Sequence, residues 1–159
     1  MQKYHLSYMK KAIQLAERGM KANEGGPFGA IIVDKDGKIV GQGNNKVTST
    51  NDPTAHAEIV AIRDACKNLN TFQLDGCTVY TSCEPCPMCL GAIYWARPER
   101  IIFAASREDA AKIGFDDDFI YQEIPLPIAE RQIPTEQLAQ EASMAVFNLW
   151  AEKSDKTEY

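Results

Sequence analysis

The chain has 159 residues, 45% of them hydrophobic and 25% charged, which is enough length and apolar content for one globular domain with a buried core. Its net charge of -5 disfavours a nucleic-acid partner, which needs a cationic face, and favours a small, weakly charged substrate. No segment reaches the ~20 apolar residues that span a membrane, and the N-terminus lacks a signal-peptide core, so we expect a cytoplasmic protein without membrane contact.

Apolar periodicity and Gly/Pro turn signals predict alternating helices and strands. The predicted elements are a helix at about 5–22, two strands within 30–45, a helix at 55–69, a strand at 77–82, a helix at 87–96, a strand at 100–106, a short helix or turn at 107–114, and a helical tail at about 129–153 broken at Pro134. The first two strands should form a hairpin, and the helical crossovers should join parallel strands. The order predicts an α/β fold with a mixed central sheet of about five strands and helices on both faces.

Three of the five cysteines stand close together in the stretch SCEPCPMC. In a reducing cytoplasm such a cluster is typical of a metal or catalytic site rather than of disulfides. Cys86 and Cys89 are three residues apart at the start of a predicted helix, so both can face one metal ion, and the helix N-terminus favours their thiolates. Cys83, at the end of the preceding strand, is predicted to pack in the core or a loop, and Tyr94 and Trp95 are predicted core residues.

A histidine and a glutamate mark the start of the other long predicted helix in the middle of the chain, in the sequence HAE. Helix N-termini converge beyond the carboxyl ends of strands in layered α/β folds. His56, Cys86 and Cys89 would then supply one imidazole and two thiolates, a zinc-ligand set that leaves a fourth position for water. Glu58 can reach that water without binding the metal, and it can carry the proton that the water loses.

The sequences HAE and PCPMC match the H-x-E…P-C-x-x-C signature of zinc-dependent nucleobase deaminases. The chain resembles the cytidine-deaminase-like superfamily, which implies a three-layer α/β/α fold. The stretches GGPFGA, NDPTAHAE, YTSCEPCPMCLGAIYWAR and GFDDDFIY, together with the terminal EY, resemble bacterial guanine deaminases, and this resemblance covers nearly the whole chain. It implies one deaminase domain over 1–159, one Zn²⁺ per subunit, and hydrolysis of guanine to xanthine and ammonia.

The resemblance also implies roles for individual residues. The implied metal ligands are His56, Cys86 and Cys89; the implied catalytic residues are Glu58 as proton shuttle and Asp117 as a proton relay to the leaving amine; and the implied base contacts are Phe28 by stacking, Asn45 by hydrogen bonding, Ala57 through its backbone and Tyr159 from the tail. It further implies a homodimer in which the C-terminal segment, about 120–159, can be exchanged between subunits.

Three alternatives remain open at this stage. Bacterial tRNA adenosine deaminases share HAE and PCPMC, and other nucleobase or nucleoside deaminases share the fold, although the acidic charge and the tail favour a free purine base over tRNA. A noncatalytic zinc-stabilised binding module would have a fourth protein ligand in place of water. A thiol-redox protein would function without zinc, but it would leave the HAE sequence unexplained.

Overall fold

The structure is a computed structural model that describes residues 3–115 and 117–159. The helices are α1 (Lys3–Lys21), α2 (Val47–Thr50), α3 (Ala57–Leu69), α4 (Pro87–Ala96), α5 (Arg107–Ala111), α6 (Asp118–Glu123) and α7 (Gln140–Glu152), with a 3-10 helix at Ile128–Glu130. The strands are β1 (Gly29–Val33), β2 (Ile39–Asn44), β3 (Thr78–Cys83) and β4 (Arg100–Ala105). The chain divides into two compact units, one ending at Asp117 and the other spanning Asp118–Tyr159.

The sheet is mixed and has the strand order β2-β1-β3-β4. Strand β1 is antiparallel to both β2 and β3, and β3 is parallel to β4, so β2, β3 and β4 run in the same direction. The predicted hairpin and the predicted parallel crossover through α4 are therefore confirmed. The sheet has four strands rather than five, because the described residues after β4 form helices, turns and loops, beginning with a helix that Ser106 and Asp109 cap reciprocally.

Helices cover both faces of this sheet. On one face α1 contributes Met9, Ala12 and Leu15, which form a cluster with Ile31, Val33 and Tyr80. On the other face α3 and α4 pack on Ala30, Ile32 and Val79. Neighbouring β1 residues belong to opposite clusters because successive side chains of a strand point to opposite faces. This arrangement confirms the three-layer α/β/α architecture.

Two glycines of β2 allow α3 to lie directly on the sheet. A Cβ atom at Gly41 would stand 2.4 Å from the carbonyl oxygen of Ala61, and one at Gly43 would stand 2.3 Å from that of Ala57. Both distances are far inside van der Waals contact, so only residues without a side chain fit here. The close approach fixes the N-terminus of α3 beside the carboxyl end of β2.

Two expectations about the outer helices were wrong. Tyr94 and Trp95 are 74% and 64% exposed rather than in the core, because α4 is apolar around its whole circumference and turns Ile93 and Ala96 inward. In the second unit, the helical tail begins at Gln140, after a 3-10 turn and an irregular stretch, rather than at about 129. Among the described residues, none of the helices combines the length and apolar character that crossing a membrane requires.

Candidate active site

The carboxyl ends of β2, β3 and β4 and the start of β1 meet at one edge of the sheet. Antiparallel β1 places its first residue where the other three strands end, so four connecting segments converge there. They enclose a cavity of about 400 Å³, a volume suited to a small molecule. Residues from every one of these segments line the cavity, among them Phe28, Asn45, His56, Glu58, Cys86 and Asp117.

The three predicted metal ligands form a compact group at the cavity. The Nδ1 atom of His56 is 3.5 Å from the Sγ atoms of both Cys86 and Cys89. His56 and Cys86 occupy the N-cap positions of α3 and α4, yet neither side chain makes a capping hydrogen bond with its helix. The N-terminal ends of α3 and α4 thus bring the three donor atoms together, and their helix dipoles favour the thiolate form of the cysteines.

The separation of these donors fits a zinc ion. Zinc–sulfur and zinc–nitrogen bonds of about 2.3 and 2.0 Å at a tetrahedral angle place sulfur and nitrogen about 3.5 Å apart. All three donor atoms lie within 4.8 Å of one another. The hydrogen bond from the Cys89 thiol lowers the pKa of the Cys86 thiol to about 4, so one thiolate is favoured even before metal binding. The set is therefore chemically and sterically suited to zinc.

Glu58 lies on the first turn of α3 with only 6% of its surface exposed. Its Oε1 accepts a hydrogen bond of 3.0 Å from the Thr81 hydroxyl, and its Oε2 is 3.5 Å from Cys89 Sγ. Burial raises the pKa of the Glu58 carboxyl above its usual range. A buried carboxyl with a raised pKa beside a metal site is well suited to take up and release protons.

Asn45 and Phe28 line the cavity from two segments of the chain that are hydrogen-bonded to each other. The Asn45 side-chain oxygen accepts hydrogen bonds from the backbone N–H groups of Gly26 and Val47, at 3.3 and 3.1 Å. The Asn45 N–H donates to the Phe28 carbonyl at 3.0 Å. Because its side-chain oxygen already accepts two hydrogen bonds, the side-chain nitrogen of Asn45 is the group that can donate to a ligand in the cavity.

The segment after β4 brings Asp117 and an aromatic side chain to the cavity. Gly114 adopts φ +90°, a left-handed conformation, at the end of the turn that follows α5. Phe115 then packs edge-on against Phe28, with ring centroids 4.8 Å apart. Asp117 was among the predicted site residues and Phe115 was not, although both belong to the same GFDDDF stretch.

The remaining sequence-predicted residues have different surroundings. Ala57 is fully buried as the first residue of α3, where its N–H has no partner within the helix. Tyr159 ends the second unit and is 68% exposed. Cys83 is buried as expected: its thiol donates to the Ser106 carbonyl at 3.6 Å, and burial raises the pKa of this thiol to about 11. It lines the cavity but does not belong to the three-donor group.

Comparison with known proteins gives consistent results. Residues 2–105 match the family model of the cytidine and deoxycytidylate deaminase zinc-binding region. Guanine deaminase from Bacillus subtilis is 56% identical over 98% of this chain and 99% of its own length. The X-ray structure of guanine deaminase from Bacillus subtilis has a TM-score of 0.94 and 53% identity, covering 100% of this chain and 99% of the other. The tRNA-specific adenosine deaminase of Aquifex aeolicus is 46% identical over 62% of this chain and 64% of its own length.

The extent of these matches distinguishes the two kinds of relative. The similarity to the tRNA-specific enzyme covers about three fifths of the chain, whereas that to guanine deaminase covers nearly all of it. Together with the His-Cys-Cys donor group and the buried glutamate, this means that the chain belongs to the zinc-binding cytidine and deoxycytidylate deaminase family and, within that family, to the guanine deaminases.

Proposed function

We propose that this chain hydrolyses guanine to xanthine and ammonia at the cavity formed by the strand ends. The observation that carries the proposal is the buried Glu58 carboxyl beside the donor group of His56, Cys86 and Cys89, in a chain similar to guanine deaminase along its full length. The cavity volume of about 400 Å³ accommodates a free base.

The metal would be one zinc ion per subunit, held by His56, Cys86 and Cys89. When bound, zinc acts as a Lewis acid and lowers the pKa of a water molecule to about 7. The 3.5 Å spacing between the imidazole nitrogen and each sulfur supports this ligand set. A site with three protein ligands is typical of catalytic zinc, whereas a structural site has four.

Glu58 would move the first proton of the reaction. It takes one proton from the attacking water and transfers it to ring nitrogen N3 of guanine, while the oxygen adds to C2. The C2 hydroxyl proton then passes to the exocyclic amine, which leaves as ammonia, and N3 keeps its proton in xanthine. Asp117, which lines the same cavity, would relay this second proton to the leaving amine.

Four residues would position the base. Phe28 offers a ring for stacking, and Asn45 offers its side-chain nitrogen because its oxygen is already engaged by two backbone N–H groups. The Asn45 amide would therefore donate to an acceptor on guanine, either the carbonyl oxygen or a ring nitrogen. The backbone of Ala57 would contact the base, and Tyr159 would close over it.

The working assembly would be a homodimer in which residues of about 120–159 are exchanged between subunits to complete each deaminase domain. Support comes from large apolar side chains that are exposed in the single chain: Tyr94 and Trp95 on α4, and Phe147, Leu149 and Trp150 on α7. Exposed apolar surface of this extent is typical of a protein–protein interface.

A substrate panel tests the reaction. Purified protein with measured zinc content is incubated with guanine, adenine, cytosine, guanosine and tRNA, and the release of ammonia is followed. We expect zinc-dependent turnover of guanine far above that of the other compounds. Preferred turnover of adenosine in tRNA would refute the proposal in favour of tRNA deamination, and stable zinc without any turnover would favour a binding module.

A further inference from the structure

Glu24 lies outside the cavity, in the loop between α1 and β1, but it links the two segments that hold Asn45, namely its own loop and α2. Its carboxylate accepts a hydrogen bond of 2.6 Å from the side-chain nitrogen of Asn44. Its carbonyl oxygen accepts from the Ser49 N–H and the Thr48 hydroxyl, both at 3.1 Å. One residue of the first loop therefore binds both the end of β2 and the segment that follows Asn45.

These two segments also supply the two N–H groups that orient the Asn45 amide. Gly26 belongs to the Glu24 loop, and Val47 is the first residue of α2, the helix that Glu24 holds through its carbonyl oxygen. The loop and α2 cannot shift relative to each other without lengthening one of these two bonds. The side chain of Glu24 acts on Asn45 through Asn44, whose side-chain nitrogen also donates to the Asn45 carbonyl at 3.1 Å.

The packing around this link leaves little room for adjustment. Asn44 is 3% exposed, and a Cβ atom at Gly19 would stand 2.3 Å from its side-chain nitrogen. A Cβ atom at Gly25 would stand 2.1 Å from the side-chain oxygen of Asn45. A hydrogen bond to a carboxylate at such a partly buried position is stronger than one between two neutral groups. It therefore fixes the Glu24 and Asn44 side chains relative to each other.

We propose that Glu24 is a positioning residue for the guanine site, which holds the Asn45 amide so that its nitrogen faces the base. The inference rests on the proposed function, because the expected effect of Glu24 is on the binding of guanine. Glu24 does not contact the reacting atoms; its effect passes entirely through Asn45. Loss of the Glu24 carboxylate should therefore weaken guanine binding in the ground state and the transition state alike, which raises KM and leaves kcat nearly unchanged.

The kinetic test compares Glu24→Ala, Glu24→Gln and Asn45→Ala in the zinc-loaded enzyme. We expect Glu24→Ala to raise KM for guanine about 3–10-fold, the range of the one neutral hydrogen bond between the Asn45 amide and guanine, with kcat within about twofold. Glu24→Gln keeps an acceptor for Asn44 and should stay within about twofold of the unaltered KM. Glu17→Ala removes the same charge from an exposed position of α1 and should leave KM unchanged.

A double-mutant cycle separates positioning from general loosening of the fold. If Glu24 acts through Asn45, then Glu24→Ala in the Asn45→Ala background has no further effect on KM. A merely structural role would lower the melting temperature and the active fraction without changing KM. The proposal is overturned by an unchanged KM in Glu24→Ala, or by a full effect that persists in the double mutant. Should Glu24→Ala fail to fold, Glu24→Leu, which keeps much of the volume but has no acceptor, replaces it, and an unchanged KM there is equally decisive.

A measurement without substrate separates this inference from the proposed function. The side-chain amide of Asn45 should give one sharp pair of proton NMR signals in the unaltered protein and a broadened or shifted pair in Glu24→Ala. Identical Asn45 signals in the two proteins would overturn the positioning role, whatever the substrate. Absence of guanine turnover in the unaltered protein would overturn the proposed function, and the amide signals would still decide the role of Glu24.

Discussion

Replacement of Glu58 by glutamine isolates proton transfer from every other property of the site. The side chain keeps its shape, and an amide oxygen can still accept the 3.0 Å hydrogen bond from Thr81. The amide nitrogen then faces Cys89 Sγ, 3.5 Å away, which can accept a hydrogen bond. Removal of a buried charge also relieves its desolvation, so we expect fold, zinc content and melting temperature to be preserved.

The expected loss of activity is large because Glu58 would act in more than one proton transfer. One positioned acid or base contributes roughly 10²–10⁴-fold to the rate. Burial, which leaves Glu58 only 6% exposed, limits replacement of its role by bulk water. We therefore expect kcat to fall at least about 10³-fold, which corresponds to about 4 kcal/mol of transition-state stabilisation.

The assay is steady-state turnover of guanine with zinc content measured on the same samples. A single-turnover experiment establishes whether the chemical step limits the rate. Glu99→Gln, at an exposed acid just before β4, is the matched control and should retain the unaltered rate. If Glu58→Gln retains more than about a tenth of the rate while chemistry is rate-limiting, the loss is too small for an acid–base residue and the assignment of Glu58 as proton shuttle is wrong.

Other substitutions test the metal, the tail and the packing. Cys86→Ala should lose zinc and lower the melting temperature, whereas Cys83→Ala should retain zinc; the reverse result would mean that the ligands were assigned wrongly. Deletion of 157–159 should preserve folding and zinc but sharply reduce guanine turnover, and mixing with a Glu58→Gln chain should restore part of it if the tail acts in the partner subunit. Gly43→Ala should lower the free energy of unfolding by about 1–3 kcal/mol, because its Cβ atom would overlap α3; an unchanged denaturation midpoint would contradict this.

Most of the fold could be predicted because short stretches of the sequence determine its turns and helices. The turn at Asp34–Gly37 defines the hairpin, and helix-forming segments between strands require crossovers. The exposure of Trp95 was not predictable, because a helix that is apolar all round does not reveal which side it buries. The helix starting at Asp118 was missed for a related reason: a short acidic segment is equally typical of a solvated turn.

The three candidate metal donors could be predicted from their spacing, but the position of Phe115 in the cavity wall could not. His56, Cys86 and Cys89 stand at helix starts whose convergence follows from the layer architecture. Phe115, by contrast, reaches the cavity only because Gly114 turns the chain through a left-handed conformation and because Gly26 has no side chain, since its Cβ atom would stand 2.9 Å from the Phe115 ring. A contact that depends on backbone geometry elsewhere in the chain gives no periodic pattern in the sequence.

Part of the cavity wall lies outside the region of the chain that carries the predicted metal donors. The matched zinc-binding region ends at residue 105, and it contains all three metal donors and Glu58. The cavity residues Arg107, Phe115 and Asp117 lie after that boundary. The tRNA-specific adenosine deaminase of Aquifex aeolicus matches 62% of this chain. We infer that the residues after 105 contribute to the choice of base together with Phe28 and Asn45.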